Sequence, residues 1–316
     1  MSVVVYAPAS TANVSVGFDS LGAALSPIDG QLLGDRVLVE AVSGDDVIIE
    51  NVGPYAHKLP ADPKQNILYD CYHYFVKQYA EHHGKVLGCV KMTLEKNLPI
   101  GSGLGSSACS VVAALEGLNA YLDSPFNKEQ MLIMMGELEG QISGSVHYDN
   151  VAPCYLGGMT LMTGSDAPVT LSLPLNDDWY YAVCYSGISV STAAARDILP
   201  KQVDMATALT FGRQLGVFVH ALHAGNFDLA ASVMKDVIAE PYRKSLLPGF
   251  DEARAFSEQA GALAFGISGS GPTVFAVCSS KAQAENVAAY LTDNYIQNDD
   301  GFSHVCQIPS QGTTIS

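Results

Sequence analysis

A segment rich in glycine and serine, from Pro99 to Cys109, has the composition of a loop that binds an anion. It reads PIGSGLGSSAC and leads directly into an apolar stretch with helical spacing. Glycines let the backbone bring N–H groups close to an anion, and the first turn of a helix adds unpaired N–H groups and a positive dipole end. The serine hydroxyls can bond phosphate or Mg²⁺. We therefore predict a phosphate-binding loop; the alternative is a plain flexible turn.

Two familiar phosphate loops do not fit this segment. A P-loop ends in Gly-Lys followed by Ser or Thr, but the chain has no lysine between Lys96 and Lys128. A dinucleotide-binding loop has the spacing G-x-G-x-x-G and an acidic residue at the end of the next strand. Here the spacing is G-x-G-x-G, and Asp123 falls at the end of a predicted helix. The sequence indicates a phosphate loop of another kind.

Glu139 is the carboxylate that could accompany this loop. It continues the row of Met131 and Met135 at the next i+4 position, which places it at the margin of an apolar helix face. Together with a serine hydroxyl it would suit a Mg²⁺ ion that carries phosphates, because Mg²⁺ in such sites takes few protein ligands. The alternative is an ordinary solvated glutamate near a helix end.

Other polar residues suited to a small-molecule site lie in further segments. Asn13 and Asp19 lie in a stretch of small and polar residues just after a predicted strand, where binding loops are common. The stretch 144–150 directly follows the helix of the predicted carboxylate. Arg196 and Arg243 are two of the five arginines in the chain. Either could hold a carboxylate through two parallel hydrogen bonds, or could form a surface ion pair instead.

The composition disfavours several classes of function. Lysine and arginine total 16 against 32 acidic residues, a formal net charge of −16, and such a chain repels nucleic acids and anionic membranes. The seven cysteines include no C-x-x-C pair, which disfavours a zinc ribbon, a redox pair or a disulfide framework. We see neither a signal peptide nor an apolar run long enough for a membrane helix. We therefore expect a reduced, soluble, cytoplasmic protein.

The pattern of apolar residues predicts the elements that position these groups. In the first half they are strands at 3–6, 90–95, 158–162 and 169–173, a hairpin of 36–42 with 47–50 around residues 44–46, and helices at 67–84, 106–122 and 127–144. Gln130 follows Asn127 by three residues, as in a capping box.

In the second half the predicted elements are strands at 179–185 and near 305, helices at 193–198 and 281–295, and two or three helices between 203 and 260. A strand pair brackets a second glycine–serine turn, 266–273, which is either a tight hairpin or a turn that closes over the first loop. Strands and helices mix without a regular βαβ alternation, and this favours an α+β fold.

Taken together, the sequence resembles the GHMP small-molecule kinases, and within them the homoserine kinases. The block from Pro99 to Ala108 is similar to the nucleotide loop of that superfamily. The opening segment 7–19, the block 147–153 and the turn 266–273 are similar to the homoserine kinases in particular. The resemblance spans nearly the whole chain, in order and at similar spacings.

The resemblance implies a two-domain α+β fold, with a nucleotide-binding domain in residues 1–165 and a ferredoxin-like domain in residues 166–316. It implies that Mg²⁺ and ATP serve to phosphorylate the side-chain hydroxyl of L-homoserine, giving O-phospho-L-homoserine for threonine biosynthesis. It also implies a homodimer and feedback inhibition by threonine.

Carried over position by position, the resemblance assigns four groups of site residues. Ser107 and Glu139 would hold Mg²⁺, and catalysis would involve Asn150, Glu139 and Arg196. Asp19 suits the ammonium of homoserine and an arginine its carboxylate, and the residues around this substrate would be Asn13, Asp19, His147, Asn150, Arg196 and Arg243. The ATP phosphates would be wrapped by Pro99, Ile100, Gly101, Ser102, Gly103, Leu104, Gly105, Ser106, Ser107, Ala108 and Cys109.

The sequence leaves three alternatives open. Asp149 or Asn150 could face the substrate hydroxyl; our hypothesis is that Asn150 orients it and that no strong general base is required. Another kinase of the same superfamily would act on a mevalonate-type, sugar or isoprenoid alcohol, which lacks the paired charges of an amino acid. A non-catalytic sensor of ATP or another metabolite could share the fold.

Overall fold

Helices and strands alternate irregularly along the chain. The computed structural model describes residues 2–44, 46–143, 146–165 and 167–316, with the backbone alone at 142 and 143. The strands are β1 (Ser2–Ala12), β2 (Leu21–Pro27), β3 (Gly34–Ala41), β4 (Ile48–Val52), β5 (Val90–Glu95), β6 (Met159–Met162), β7 (Thr170–Leu173), β8 (Tyr180–Tyr185), β9 (Ala264–Ile267), β10 (Val274–Cys278), β11 (Phe302–Gln307) and β12 (Thr314–Ile315). The helices are α1 (Ile67–His83), α2 (Ser106–Tyr121), α3 (Lys128–Ser143), α4 (Val151–Leu156), α5 (Thr192–Asp197), α6 (Met205–His223), α7 (Phe227–Ser232), α8 (Glu240–Arg243), α9 (Phe250–Gln259) and α10 (Lys281–Asn294).

One mixed sheet runs through both halves of the chain. Its strand order is β4-β5-β3-β1-β2-β11-β8-β10-β9, and the halves meet where β11 pairs antiparallel with β2, Cys306 opposite Pro27. β6 pairs with β2 and β7, and β12 pairs with β1. The predicted α+β class is confirmed. The boundary at 165/166 stays a prediction; it falls between β6 and β7, which pair antiparallel.

The predicted hairpin of 36–42 with 47–50 is wrong. Both strands exist, but β5 lies between them, antiparallel to β3 and parallel to β4. The reason is the apolar surface each strand buries. β5 buries Val90, Met92 and Leu94, whereas β4 leaves Ile48 and Val52 exposed and therefore takes the sheet edge. Asp45, in the middle of the predicted turn, lies outside the described residues.

The predicted helix ends are largely confirmed. α1 begins where the Asn66 side chain accepts a hydrogen bond from the N–H of Leu68, and it ends at Gly84 in the left-handed conformation. Before α3, Asn127 and Gln130 form the capping box through two hydrogen bonds of 3.0 Å each. The predicted end of this helix at Gly144 lies outside the described residues.

α2 is the helix that holds the phosphate loop against the sheet. It is buried from Ala108 to Asn119 and packs on β1, β3, α1 and α3. Gly117 lets it approach β3, because a Cβ there would lie 3.0 Å from Val39 Cγ2. Since the buried helix cannot shift without disturbing the core, the start of α2 is a rigid support for the loop before it.

All seven cysteines are free thiols in this structure, and six of them are buried. Within the described ranges, no helix combines the length and apolar character needed to cross a membrane.

Candidate active site

A cavity of about 530 Å³ opens beside the start of α2. Loops from both halves of the chain line it, which is typical of sites that bind small molecules. Of the residues predicted from the sequence, those that line it are Asn13, Asp19, Ile100, Gly101, Ser102, Gly103, Gly105, Ser106, Ser107, Ala108, Glu139, His147, Asn150, Arg196 and Arg243. The structure thus brings residues from six separate segments to one place.

The loop between β5 and α2 has the geometry expected of a phosphate loop. Gly101, Gly103 and Gly105 have φ angles of 69°, 81° and 67°, a region that side chains other than glycine rarely enter. Gly105 is the residue that precedes α2, so the helix begins at Ser106 as predicted. The free N–H groups of this first turn line the cavity side of the loop and suit an anion.

Three residues of the predicted loop do not line the cavity. Pro99, Leu104 and Cys109 are buried. The Cys109 thiol donates to the carbonyl oxygen of Ala7 at 3.0 Å and accepts from the N–H of Asp35 at 3.1 Å. These side chains support the loop from the core side, and the predicted phosphate contact therefore belongs to the rest of the loop.

The second glycine–serine turn lies over the first loop, as the sharper hypothesis predicts. Ser268 Oγ donates to the carbonyl oxygen of Gly103 at 2.7 Å. The N–H of Thr273 donates to the carbonyl oxygen of Ser102 at 3.1 Å. A Cβ at Gly103 would collide with the carbonyl oxygens of Ser268 and Gly271. Glycine at position 103 is therefore needed both for its φ angle and for this close approach.

Glu139 and Ser107 meet at the start of α2. Ser107 Oγ donates to Glu139 Oε2 at 2.8 Å. Burial raises the pKa of Glu139 and the charge of Asp149 adds to the shift, whereas the Ser107 hydrogen bond opposes it; together they place the pKa at about 7. A carboxylate that is poorly solvated and lies beside a phosphate loop is well suited to a divalent cation.

The donor set at this point fits Mg²⁺ better than a metal held entirely by protein. Among the described residues, no group of three or more His, Cys, Asp or Glu could hold a metal ion. Ser107 and Glu139 offer two oxygen atoms, and Mg²⁺ commonly completes its shell with substrate phosphates and water. The predicted metal residues therefore lie together in a suitable place.

Asp149 and Asn150 both line the cavity. Asn150 Oδ1 accepts a hydrogen bond of 3.0 Å from Ser10 Oγ, which orients its amide next to Gly105. Asp149 is buried, and burial raises its pKa to about 7, with a further contribution from the charge of Asp19. Both residues stay candidates to face a substrate hydroxyl.

Asp19, Arg196 and His147 also line the cavity and contact one another. Arg196 holds the carboxylate of Asp19 with two hydrogen bonds, 2.9 Å from Nη1 and 3.3 Å from Nη2. Its Nη2 also lies 3.3 Å from His147 Nε2. Burial lowers the pKa of His147, which favours the neutral imidazole that can accept from the guanidinium. Residues 177 positions apart in sequence are thus directly hydrogen-bonded in the cavity wall.

Arg243 lies deeper than Arg196 and is only 4% exposed. It donates to the carbonyl oxygens of Ala195 at 3.0 Å and Gly269 at 2.9 Å. The Phe18 ring lies 5.3 Å from its guanidinium, and burial lowers the pKa of Arg243. These neutral hydrogen-bond partners fix the guanidinium at the cavity wall, where an anionic ligand group would complement its charge.

The loop that carries Asn13 is strained. Asn13, Val14 and Ser15 have consecutive φ angles of 72°, 46° and 57°, and such values are especially costly for a β-branched residue. Each costs about 1–3 kcal/mol, and strain of this kind clusters at functional sites. Asn13 offsets part of the cost, because its Oδ1 accepts from the N–H of Asp19 at 2.9 Å.

Several cavity residues were missed by sequence reasoning. Lys96 had a detectable signal, because it continues the inward alternation of Val90, Met92 and Leu94 and is therefore predicted to be buried. Ser10 and Phe18 do not line the cavity but contact Asn150 and Arg243, and only their place in the opening segment was a signal for them. The cavity also includes Ser270, from the predicted turn 266–273. Further lining residues that lie in no predicted motif are Leu59, Pro60, Gln65, Ile67, Ser189, Ser191 and Thr192.

Comparison with known families defines the class of this protein. The family model "GHMP kinases N terminal domain" matches residues 66–158, and "GHMP kinases C terminal" matches residues 218–297. The chain therefore belongs to the GHMP kinases, which are small-molecule kinases, and the resemblance stated from the sequence is confirmed.

Solved structures extend the comparison. A homoserine kinase from Cytophaga hutchinsonii is 33% identical, with a TM-score of 0.89 over 100% of this chain and 97% of that chain. The L. major mevalonate kinase in complex with R-mevalonate is 16% identical, with a TM-score of 0.69 over 96% of this chain and 95% of that one. A 4-(cytidine 5'-diphospho)-2C-methyl-D-erythritol kinase is 20% identical, with a TM-score of 0.61 over 97% and 100%. The last two share the fold alone.

Proposed function

We propose that this protein is a homoserine kinase that acts in the cytoplasm in threonine biosynthesis. The side-chain hydroxyl oxygen of L-homoserine bonds to the γ-phosphorus of ATP, the bond from that phosphorus to the ADP oxygen breaks, and the hydroxyl proton is released. The observation that carries the proposal is that Asp19, Arg196 and Arg243 line the same cavity as the phosphate loop. Similarity to the Cytophaga hutchinsonii homoserine kinase supports it.

The charges of Asp19, Arg196 and Arg243 are complementary to those of an amino acid. Asp19 suits an ammonium group, and Arg196 and Arg243 suit a carboxylate. Asp19 and Arg196 pair with one another, and a zwitterion brings a counter-charge for each partner of that pair. An alcohol without an ammonium group would leave Asp19 without such a partner. This difference favours homoserine over mevalonate-type, sugar and isoprenoid alcohols.

The phosphate side of the cavity is suited to ATP. The start of α2 contributes about 0.3–2 kcal/mol to an anion, which is too little to hold a triphosphate alone. Ser107 and Glu139 would hold Mg²⁺, which when bound neutralises charge on the phosphates. Arg196 would add positive charge on the acceptor side, and Ser10 holds Asn150 where its amide would orient the attacking hydroxyl. Positioning and charge then supply most of the catalysis, without a strong base.

The assay that tests the proposal measures ADP release from Mg²⁺ and ATP in the presence of L-homoserine, mevalonate, galactose or no acceptor. Turnover with homoserine alone supports a homoserine kinase. Turnover with mevalonate or galactose would establish another GHMP kinase activity. Tight ATP binding without turnover on any acceptor would identify a nucleotide sensor.

Two variants test whether Asp149 or Asn150 faces the substrate hydroxyl. If Asn150 orients the hydroxyl, Asn150→Ala lowers kcat strongly, whereas Asp149→Asn retains most of it. If Asn150→Ala kept full kcat while Asp149→Asn abolished it, Asp149 would be the group that faces the hydroxyl.

We also propose that threonine inhibits the enzyme and that the protein is a homodimer. Threonine carries the ammonium and carboxylate that Asp19 and the arginines would bind, so inhibition should be competitive with homoserine. Initial rates at several concentrations of both amino acids test this, and light scattering after size-exclusion chromatography tests the dimer. Inhibition that homoserine does not relieve, or a mass of one chain, would contradict these proposals.

A further inference from the structure

A buried ion pair lies directly beneath the phosphate loop. Lys96 Nζ is 2.5 Å from Asp35 Oδ2, and the side chains are 2% and 0% exposed. Lys96 also donates to the carbonyl oxygen of Ser106 at 2.9 Å and to Ser110 Oγ at 3.0 Å. Its ammonium therefore uses three hydrogen bonds, and two of them reach the first turns of α2.

Asp35 holds the opposite end of the same loop. Its Oδ1 accepts from the N–H groups of Asn97 at 2.9 Å and Leu98 at 3.0 Å. Its Oδ2 accepts from Ser110 Oγ at 2.8 Å. The residues just before the loop and the helix turn just after it thus converge on one pair of charges.

Stability alone is a weak reason for such a pair. Removing two charges from water is costly, and apolar residues of similar volume often give equal or greater stability. Here every hydrogen bond goes to a group that defines the ends of the loop. Lys96 also lines the cavity, and its charge lowers the pKa of Glu139, which places it near the predicted metal carboxylate.

We propose that Asp35 and Lys96 are positioning residues that set the distance between the loop and the first turn of α2, so that the N–H groups of both converge on the nucleotide phosphates. They act through Asn97, Leu98 and Ser106 and do not touch the reacting atoms. The proposal rests on the nucleotide-binding role of the loop and is independent of which alcohol is phosphorylated.

The test is a double variant with a matched control. Asp35→Asn with Lys96→Met removes both charges and keeps the volume of each side chain. The control, Arg36→Met with Glu95→Gln, removes the adjacent pair, whose partners lie 3.5 Å apart and are partly exposed. Both double variants change neighbouring residues of the same strand region, so any general effect of charge removal there appears in both.

Calorimetric titration with adenosine, ADP and ATP, in the presence of Mg²⁺, gives the readout. We expect the buried-pair variant to lose about tenfold or more in affinity for ADP and ATP, comparable to one hydrogen bond to a charged group, with adenosine affinity unchanged. We expect kcat/KM for ATP to fall about 100-fold, because a small displacement of the groups that position a substrate has an effect of this size. The control variant should retain wild-type affinity for all three ligands.

An equal loss of affinity for adenosine and ATP, or an unchanged affinity for ATP, would overturn the proposal. The ion pair would then have only a structural role in the folded protein. Should the double variant not fold, Ser110→Ala removes only the hydroxyl shared by both charges. This variant should lower the affinity for ADP and ATP by a smaller factor and leave the affinity for adenosine unchanged. An equal loss of affinity for all three ligands would overturn the proposal. If the variants show this selective loss of ADP and ATP affinity but the wild type does not phosphorylate homoserine, the proposed substrate fails and the role of the pair stands.

Discussion

At the residue scale, two carboxyl groups in the cavity carry unusual protonation equilibria. Burial raises the pKa values of Glu139 and Asp149 to about 7, since low-dielectric surroundings disfavour the charged form. The charge of Asp149 also contributes to the raised pKa of Glu139. A cation that binds here relieves this cost, which couples metal affinity to pH.

Glu139→Gln tests the metal role. We expect kcat to fall on the order of 100-fold, because the charge stabilisation that a bound metal supplies is worth several kcal/mol. Glu137→Gln, an exposed position on the same helix, is the control and should keep wild-type kcat. The measurement is the rate as a function of Mg²⁺ concentration. An unchanged rate at limiting Mg²⁺ would remove Glu139 from the metal site.

The raised pKa of Glu139 also affects stability. Its folded pKa, about 7, lies above the ordinary value of 4.5, so the folded state binds more protons between these values. Its contribution to stability is therefore present below pH 4.5 and is lost as pH rises through about 7. Glu139→Gln removes this loss, because glutamine does not titrate. We therefore expect the free energy of unfolding of the variant, relative to that of the wild type, to be about 1–3 kcal/mol more favourable at pH 8.5 than at pH 5. Urea unfolding of the ligand-free proteins measures the difference; an equal effect at both pH values contradicts it.

Arg196 pairs with Asp19, and we predict that it binds the substrate and not the ATP phosphates. Arg196→Ala should raise KM for homoserine roughly 10–100-fold, the value of a hydrogen bond to a charged group, with KM for ATP nearly unchanged. Arg213→Ala, at an exposed position on α6, is the control. Loss of ATP binding in the Arg196 variant would place this arginine at the phosphates instead.

At the scale of elements, the site depends on contact between two loops that are distant in sequence. The turn between β9 and β10 hydrogen-bonds to the loop before α2 through Ser268 and Thr273. Because α2 is buried against the sheet, the phosphate loop is held from both sides. The glycines of this contact matter for space as well as for backbone conformation.

Gly103→Ala tests that contact. Gly103 and Gly30 have nearly equal φ angles, 81° and 82°, but a Cβ at Gly103 meets carbonyl oxygens whereas one at Gly30 has nothing within 4 Å. Both variants bear the cost of a left-handed alanine, about 1 kcal/mol. Only Gly103→Ala should also raise KM for ATP and lower kcat. Equal kinetic effects in both variants would show that the contact between the loops is unimportant.

At the scale of the whole molecule, the shared sheet joins the two halves. β11 of the second half pairs with β2 of the first, and β6 pairs with β7 across the predicted boundary at 165/166. Structural units that share a sheet do not unfold separately without losing these hydrogen bonds. The molecule should therefore behave as one cooperative unit despite its two family domains.

Scanning calorimetry tests this cooperativity. We expect one thermal transition, with equal calorimetric and van't Hoff enthalpies. ATP at about one hundred times its Kd should stabilise the whole transition by about 2.7 kcal/mol. Two resolved transitions, only one of which moves with ATP, would show that the halves unfold independently.

The sequence by itself determined the features that depend on local physics. The glycines at 101, 103 and 105 and the serines that follow already predict a phosphate loop at a helix start, because left-handed backbone and free helix N–H groups are properties of a few consecutive residues. The same holds for the capping box at Asn127 and for the strand alternation of β5. The motif blocks along the chain also indicated the kinase family.

Only the tertiary structure decided which distant residues meet. The pairing of Asp19 with Arg196 depends on how both halves fold around the cavity, and no local pattern specifies such a contact. β5 separates the strands that local spacing predicts to be a hairpin, because strand order follows the apolar surface buried in the whole sheet. Likewise, Lys96 is identifiable as inward-facing from its spacing, but its bond to Asp35 requires the β3–β5 pairing. Local backbone preferences are encoded in neighbouring residues, whereas burial and charge partners are properties of the complete fold.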